Sequence, residues 1–202
     1  MIITIITLIV FNIFSLFRFN KLKQQTEIEI LEIKRKEEMK NDALETYKLS
    51  FIQNLLNDGK KLDSTSVAKD SLYNDILLKN NLHSKQNHKL IYRFSKMHCE
   101  SCVKASLNVL KKKVELIGID NVILLGNYDN NRIFFRTISE YNIEKIQVYN
   151  ISSFNIPAEE IGFPYFFVLN NNLEISDVYI PNKITPTITN KYLKNISSKY
   201  FK

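Results

Sequence analysis

Met97-His98-Cys99-Glu100-Ser101-Cys102 contains the only two cysteines of the 202-residue chain. The apolar run Leu90-Ile91-Tyr92-Arg93-Phe94 precedes it, and a helix-like pattern follows it. Two thiols at this spacing suit either a dithiol–disulfide couple or half of a soft-metal site. With no third cysteine, thiol chemistry must stay within the pair or pass to another molecule.

The residues downstream separate these readings. Val103, Leu107, Leu110, Val114 and Ile117 recur at alternating four- and three-residue spacing and predict one apolar helix face, with Lys104 and Lys111–Lys113 outside it. Val122-Ile123-Leu124-Leu125 predicts a strand buried on both faces. A helical segment over 132–141 and a strand over 145–151 follow. After Pro164, the apolar runs 165–169 and 173–180 flank three asparagines and predict an antiparallel hairpin. Thr185-Pro186 opens a last helix with proline in its first position. Its buried stripe is Ile188, Tyr192, Leu193, Ile196 and Tyr200.

Upstream, residues 1–17 carry no charged side chain, and a bilayer core needs about 17–25 such residues. With no basic leader and no small-x-small cleavage site, the segment predicts an uncleaved single-span anchor over 1–19. Arg18, Lys21 and Lys23 follow it, a charge bias that would hold the rest of the chain in the cytoplasm. Residues 20–59 predict a charged helical stalk, with Glu32 and Lys36 spaced as a helical ion pair. Leu44, Tyr47, Phe51 and Leu55 line one side of it as the packing face. Asn57-Asp58-Gly59 ends the stalk and 60–202 forms the α/β domain, its polar start holding one short helical candidate over 71–79. The composition, 45% apolar and 24% charged, is that of a globular chain. Its net charge of +7 is spread among acids, so no nucleic-acid partner is expected.

Phe94-Ser95-Lys96-Met97-His98-Cys99-Glu100-Ser101-Cys102 is similar to the F-x-x-x-W-C-x-x-C segment of the thioredoxin superfamily. Ile161-Gly162-Phe163-Pro164-Tyr165-Phe166-Phe167-Val168-Leu169 is similar to that family's segment around a cis-proline. With the element order, the chain most resembles the membrane-anchored TlpA/ResA type of thiol-disulfide oxidoreductase. The resemblance covers roughly 60–202 and implies a thioredoxin-like three-layer sandwich, a central mixed sheet flanked by helices. It implies a reductase or isomerase of protein disulfides that needs no cofactor and is recharged by a separate thiol or membrane electron donor. It also implies an inner-membrane protein with its redox domain on the periplasmic side, against the charge bias.

Cys99, at the helix start, is the expected nucleophile, because unpaired helix N–H groups favour a thiolate; Cys102 is the resolving thiol. Phe163 and Pro164 are the expected substrate contacts. His98 stands where the family has Trp, Ser101 where Pro or Gly is common, and Phe163 where a small residue is usual. A protonated His98 would favour the Cys99 thiolate, and the Glu100 carboxylate would disfavour it. Three other readings stand beside this one. The domain could be a binding module on the same fold without redox turnover. Met97-x-Cys99-x-x-Cys102 also resembles the copper-holding loop of heavy-metal-associated domains, although Lys96 replaces their Gly. Finally, His83 and His88 with both cysteines could form a zinc set.

Overall fold

The computed structural model describes residues 2–81, 87–143 and 145–202, without the side chains of 2–10, 12, 13 and 81. Helix α1 runs Ile2–Asn57, and the chain divides into two compact units, Met1–Asp42 and Ala43–Lys202. From Phe14 to Glu38 every side chain is exposed, as the dense alternation of acids and bases dictates. Among the described residues no helix is long and apolar enough to cross a membrane. Most side chains of the run 1–17, the expected anchor, lie outside the described residues.

The second unit is built on one seven-stranded sheet. Its strands are β1 (Val67–Lys69), β2 (Asp75–Leu77), β3 (His88–Ser95), β4 (Val122–Asn127), β5 (Gln147–Asn150), β6 (Tyr165–Asn170) and β7 (Ile175–Tyr179). They lie in the order β2-β1-β5-β4-β3-β6-β7. β3 pairs in parallel with β4, and β4 with β5. β6 and β7 extend the sheet antiparallel. The remaining helices are α2 (Leu78–Asn81), α3 (Glu100–Lys111), α4 (Val114–Ile117), α5 (Asn131–Glu140) and α6 (Pro186–Tyr200).

Alternation along β3 divides the core in two, since successive strand residues point to opposite faces. Leu90, Tyr92 and Phe94 pack with Val103 and Leu107 of α3, Phe134 of α5, and Leu193 and Ile196 of α6. Ile91 faces the other way, toward Tyr165, Phe167, Phe154 and Ile156. The apolar face expected over 103–117 is one stripe on two helices, α3 and α4, broken at Lys112-Lys113. At Gly126 an added Cβ would lie 2.1 Å from the Phe134 ring, so β4 and α5 approach closely there. In α6, Thr189, Leu193, Ile196 and Ser197 are buried, while Ile188 is exposed, contrary to the expected stripe.

Two segments depart from the sequence reading. Most of the helical candidate over 71–79 is instead the turn between β1 and β2 and then β2 itself; only Leu78 and Lys79 are helical, as the start of α2. The Asp70 carboxylate accepts hydrogen bonds from the backbone N–H groups of Leu72 and Asn74, both at 2.9 Å. That side-chain turn, with Tyr73 in the left-handed region (φ 64°), replaces helical hydrogen bonding.

The second departure concerns α1. The compact unit begins at Ala43, earlier than the expected boundary near residue 59, because the end of α1 packs on the sheet domain. Of the expected face, Leu44, Phe51 and Leu55 are exposed and Tyr47 is half-buried; the buried side chains are Ala43 and the polar Thr46, Ser50, Gln53 and Asn57. The partner explains this polarity. β7 is an edge strand, and its outer N–H groups need acceptors. Asn54 Oδ1 accepts from the Val178 N–H at 2.8 Å and Ser50 Oγ from the Ile180 N–H at 3.0 Å. Asn57 Oδ1 accepts from the Ala158 N–H at 3.3 Å. Asn54→Ala leaves the Val178 N–H without its acceptor and should cost about 1–3 kcal/mol. Urea unfolding is the measurement, and the midpoint should fall with an unchanged m-value.

Candidate active site

β3 carries the chain to Ser95, and the residues that follow turn sharply before α3. The His98 N–H donates to the Ser95 carbonyl at 3.1 Å, and the Ser95 N–H donates to His98 Nδ1 at 3.1 Å. This reciprocal pair sets Cys99 as the N-cap of α3 with extended geometry (φ −54°, ψ 112°). The Cys99 carbonyl accepts from the N–H groups of Cys102 and Val103, which starts the helix. Ser106 Oγ then donates to the Cys102 carbonyl at 2.8 Å.

Both thiols are free, Cys99 exposed and Cys102 half-buried. Their acidities split in opposite directions. The Cys99 thiol is pulled down to about 7, first by the hydrogen bond from the Cys102 side chain, then by Ser101. The Lys183 ammonium adds a smaller push in the same direction. Cys102 is pushed up to about 11, first by burial, then by its hydrogen bond to Cys99 and the charge there. One sulfur is therefore poised as an anion in solvent, while its neighbour holds a proton behind it.

The tuning residues act differently from their sequence reading. Burial and the nearby Arg93 guanidinium push His98 down to about 4. His98 is therefore neutral near pH 7 and supplies no charge to Cys99; its contribution is the hydrogen bond that shapes the turn. Glu100 lies toward Tyr128 and Tyr141, and its charge helps burial hold both phenols up.

Two further charged groups, Lys183 and Arg93, were missed by the sequence reading. Lys183, in the loop between β7 and α6, donates to Ser101 Oγ at 3.1 Å and lies 3.9 Å from Cys99 Sγ. Arg93, six positions before Cys99 on β3, is almost fully buried. Its Nε and Nη2 meet the two carboxylate oxygens of Glu159 at 2.8 Å each. Nη1 donates to the carbonyls of Gly126 and Ile151, and Nη2 to that of Ser152. The Tyr165 hydroxyl donates to Glu159 Oε1 at 2.6 Å. Burial pushes the Glu159 carboxyl up, but Arg93 and the Tyr165 hydroxyl outweigh it and hold the group below its ordinary range. A lone lysine in a loop has no spacing to mark it. A charged residue inside an apolar strand run was the available sign for Arg93.

β3 and β6 run antiparallel with Arg93 opposite Tyr165. Phe163-Pro164, just before β6, therefore reaches the end of the sheet where Cys99 sits. Phe163 is exposed and Pro164 is buried. The described residues contain no cis peptide bond, so the expected cis-proline is trans, the ordinary state of an X-Pro bond. The zinc set does not assemble around His88, which starts β3 and whose ring lies 4.6 Å from that of Tyr200 at a tilt of 44°. The length of β3 puts it roughly 20 Å or more from the cysteines at about 3.3 Å per residue. His83 lies outside the described residues. Among the described residues no group of three His, Cys, Asp or Glu side chains could hold a metal ion. The copper-domain reading fails on topology: α3 leads to a parallel strand, β4, and then to α5.

No family model matches the sequence, and no curated protein matches it. Solved structures do resemble it. Peroxidoxin BcpB from Mycobacterium tuberculosis is 12% identical, covers 70% of this chain and 98% of its own, and has a TM-score of 0.48. An uncharacterized thioredoxin-like protein from Porphyromonas gingivalis is 13% identical over 67% of this chain and 91% of its own, at 0.47. A peroxiredoxin-like protein from Aquifex aeolicus is 13% identical over 68% and 86%, at 0.44. Within the molecule, the parallel strands β3 and β4 are joined through a helix capped by the first cysteine of C-x-x-C, and an antiparallel pair completes the sheet. The fold is thioredoxin-like.

Proposed function

We propose that the chain is a thiol-disulfide oxidoreductase that reduces or isomerises disulfides in other proteins. The placement of two free thiols one turn apart carries this reading: Cys99 is exposed as the N-cap of α3 and Cys102 is half-buried behind it, and their opposite shifts, to about 7 and about 11, agree with it. The Cys99 thiolate attacks one sulfur of a substrate disulfide. A mixed disulfide forms, and the other substrate sulfur leaves as a thiolate that takes up a proton. Cys102 gives up its proton and attacks Cys99 Sγ, releasing the second substrate thiol. The dithiol loses two electrons and the substrate gains them. In isomerisation the freed substrate thiolate instead attacks a second disulfide of the substrate, and the thiolate this liberates attacks the mixed disulfide, forming a new substrate disulfide and releasing Cys99; no net electrons move.

A Cys99 acidity near 7 is that of a reducing dithiol; strongly oxidising pairs sit near 3.5. The reduced form here is only modestly stabilised, which favours donation of electrons. Because the chain has no further cysteine, a separate thiol protein or membrane carrier must return the electrons. Phe163, exposed just before β6 at the same end of the sheet, would offer substrate an apolar contact. The uncharged run 1–17 supports a single membrane span, and the resemblance of the domain supports a periplasmic location. A membrane-impermeant maleimide that labels Cys99 in intact cells would support that side, and labelling only after lysis would overturn it.

The decisive experiment is Cys102→Ser expressed in cells. It should accumulate mixed disulfides through Cys99 that collapse on reduction. A well-expressed variant with no trapped species, together with no reversible two-electron couple against glutathione, would overturn the proposal. Stoichiometric copper on the purified wild type would point to metal carriage instead.

A further inference from the structure

The loop that joins β7 to α6 is held at both ends by consecutive residues of α1. Asn182 Nδ2 donates to Thr46 Oγ1 at 3.0 Å, with both groups buried. The Tyr47 hydroxyl donates to Thr185 Oγ1. Within the loop, Asn182 Oδ1 accepts from the Ile184 N–H at 2.8 Å. Between these fixed points stands Lys183. Its side chain is exposed, yet it reaches across to Ser101 Oγ at 3.1 Å and to within 3.9 Å of Cys99 Sγ. Ser101 Oγ is itself 3.2 Å from Cys99 Sγ.

The donor count fixes the direction of the first of these contacts. An ammonium only donates, so the Ser101 oxygen is the acceptor for Lys183. With that oxygen engaged, the remaining Ser101 proton is free to be donated to the Cys99 sulfur. That arrangement favours the thiolate over the thiol. Neither His98, which is neutral, nor Cys102, which is protonated, supplies a charge in its place.

We infer that Lys183 is a positioning residue for the Cys99 thiolate, acting through Ser101, and that α1 holds it in place through Thr46 and Tyr47. The inference rests on Cys99 being the nucleophile of the proposed reaction, but it concerns only formation of the anion. The helix before the domain therefore takes part in setting the reactivity of the site.

The test is the rate of Cys99 alkylation by iodoacetamide, followed from pH 5 to 9 on the full chain in the Cys102→Ser background. Lys183→Met should move the profile to higher pH and lower the rate below the midpoint about two- to fivefold, the size of an exposed charge interaction. Lys183→Arg should restore most of it. Raising the salt concentration should slow the parent at low pH and leave Lys183→Met unchanged, because salt screens an exposed charge. Ser101→Ala should shift the profile the same way, and adding Lys183→Met to it should shift it little further. Thr46→Val with Tyr47→Phe should reproduce part of the Lys183→Met effect, including loss of salt sensitivity. A Lys183→Met profile that superimposes on the parent overturns the inference, as do fully additive Lys183 and Ser101 effects. Alkylation needs no disulfide partner. A failed trap with an intact Lys183 effect would therefore remove the oxidoreductase reading alone.

Discussion

At pH 7, limiting iodoacetamide is expected to modify Cys99 about 50- to 100-fold faster than Cys102 in the reduced protein, and Cys99→Ser to abolish disulfide reduction. The magnitude follows from two opposing effects. With acidities near 7 and 11, roughly half of Cys99 but only roughly one Cys102 in ten thousand is ionised. Ionisation alone would favour Cys99 several-thousandfold. A more basic thiolate is intrinsically the better nucleophile, with a Brønsted slope of about 0.4–0.5, and that returns about 40- to 100-fold to Cys102. Ionisation wins. In Cys99→Ser the remaining thiol is half-buried and protonated, so insulin-type reduction should fall to the uncatalysed background. Comparable alkylation of both cysteines by mass spectrometry, or residual turnover in Cys99→Ser, would refute the assignment of roles.

Arg93→Ala should destabilise the domain by about 3–5 kcal/mol, the range for removing one partner of a buried ion pair. The side chains of Arg93 and Glu159 are 2% and 14% exposed. Loss of the guanidinium strands the Glu159 carboxylate and leaves the carbonyls of Gly126, Ile151 and Ser152 without a donor. The pH dependence of this cost has a defined sign. In the wild type the Glu159 carboxyl lies below its ordinary 4.5 when folded. Its stabilisation is therefore present above that value and fades as pH falls through the folded value. In Arg93→Ala both Arg93 contributions are gone, and burial, the largest effect, is opposed only by the hydrogen bonds from the Tyr165 hydroxyl and the Phe154 backbone, so the carboxyl is expected to rise and the folded state to bind the proton more tightly than the unfolded chain. The variant should lose stability as pH rises above 4.5, and the gap to wild type should widen from pH 4 to 7. Urea midpoints at the two values measure this. Arg93→Met with Glu159→Gln, which buries no charge, should recover much of the loss. A gap that narrows toward pH 7 would show that Glu159 is not the group in control.

The sequence was most legible where burial is apolar. β3, β4 and β6 are continuous apolar runs and α3 has a regular apolar face, so the position of Cys99 at a strand-to-helix turn could be read directly. It was least legible where polar groups decide the packing. Leu44, Phe51 and Leu55 form the obvious stripe on α1, but the surface it meets is a strand edge that needs acceptors, so Ser50 and Asn54 face inward. The β1–β2 turn went unread because one carboxylate, Asp70, organises it and no periodicity marks it. Lys183 was invisible for a related reason. Its partner Ser101 is 82 residues away, and only the tertiary fold brings them together.

These separations bear on when the dithiol becomes reactive during synthesis. The bonds that fix the Lys183 loop to α1 span 136 and 138 residues, and those that close the β7 edge span 124 and 130. Such distant contacts form late, because closing a long loop costs entropy before any contact repays it. A growing chain presents Cys99 and Cys102 well before residue 183 has been made. In that interval the sulfur lacks the ammonium and the ordered serine that favour its anion. Full reactivity thus arrives with the last elements of the chain, so an unfinished molecule is a poor partner for stray disulfides.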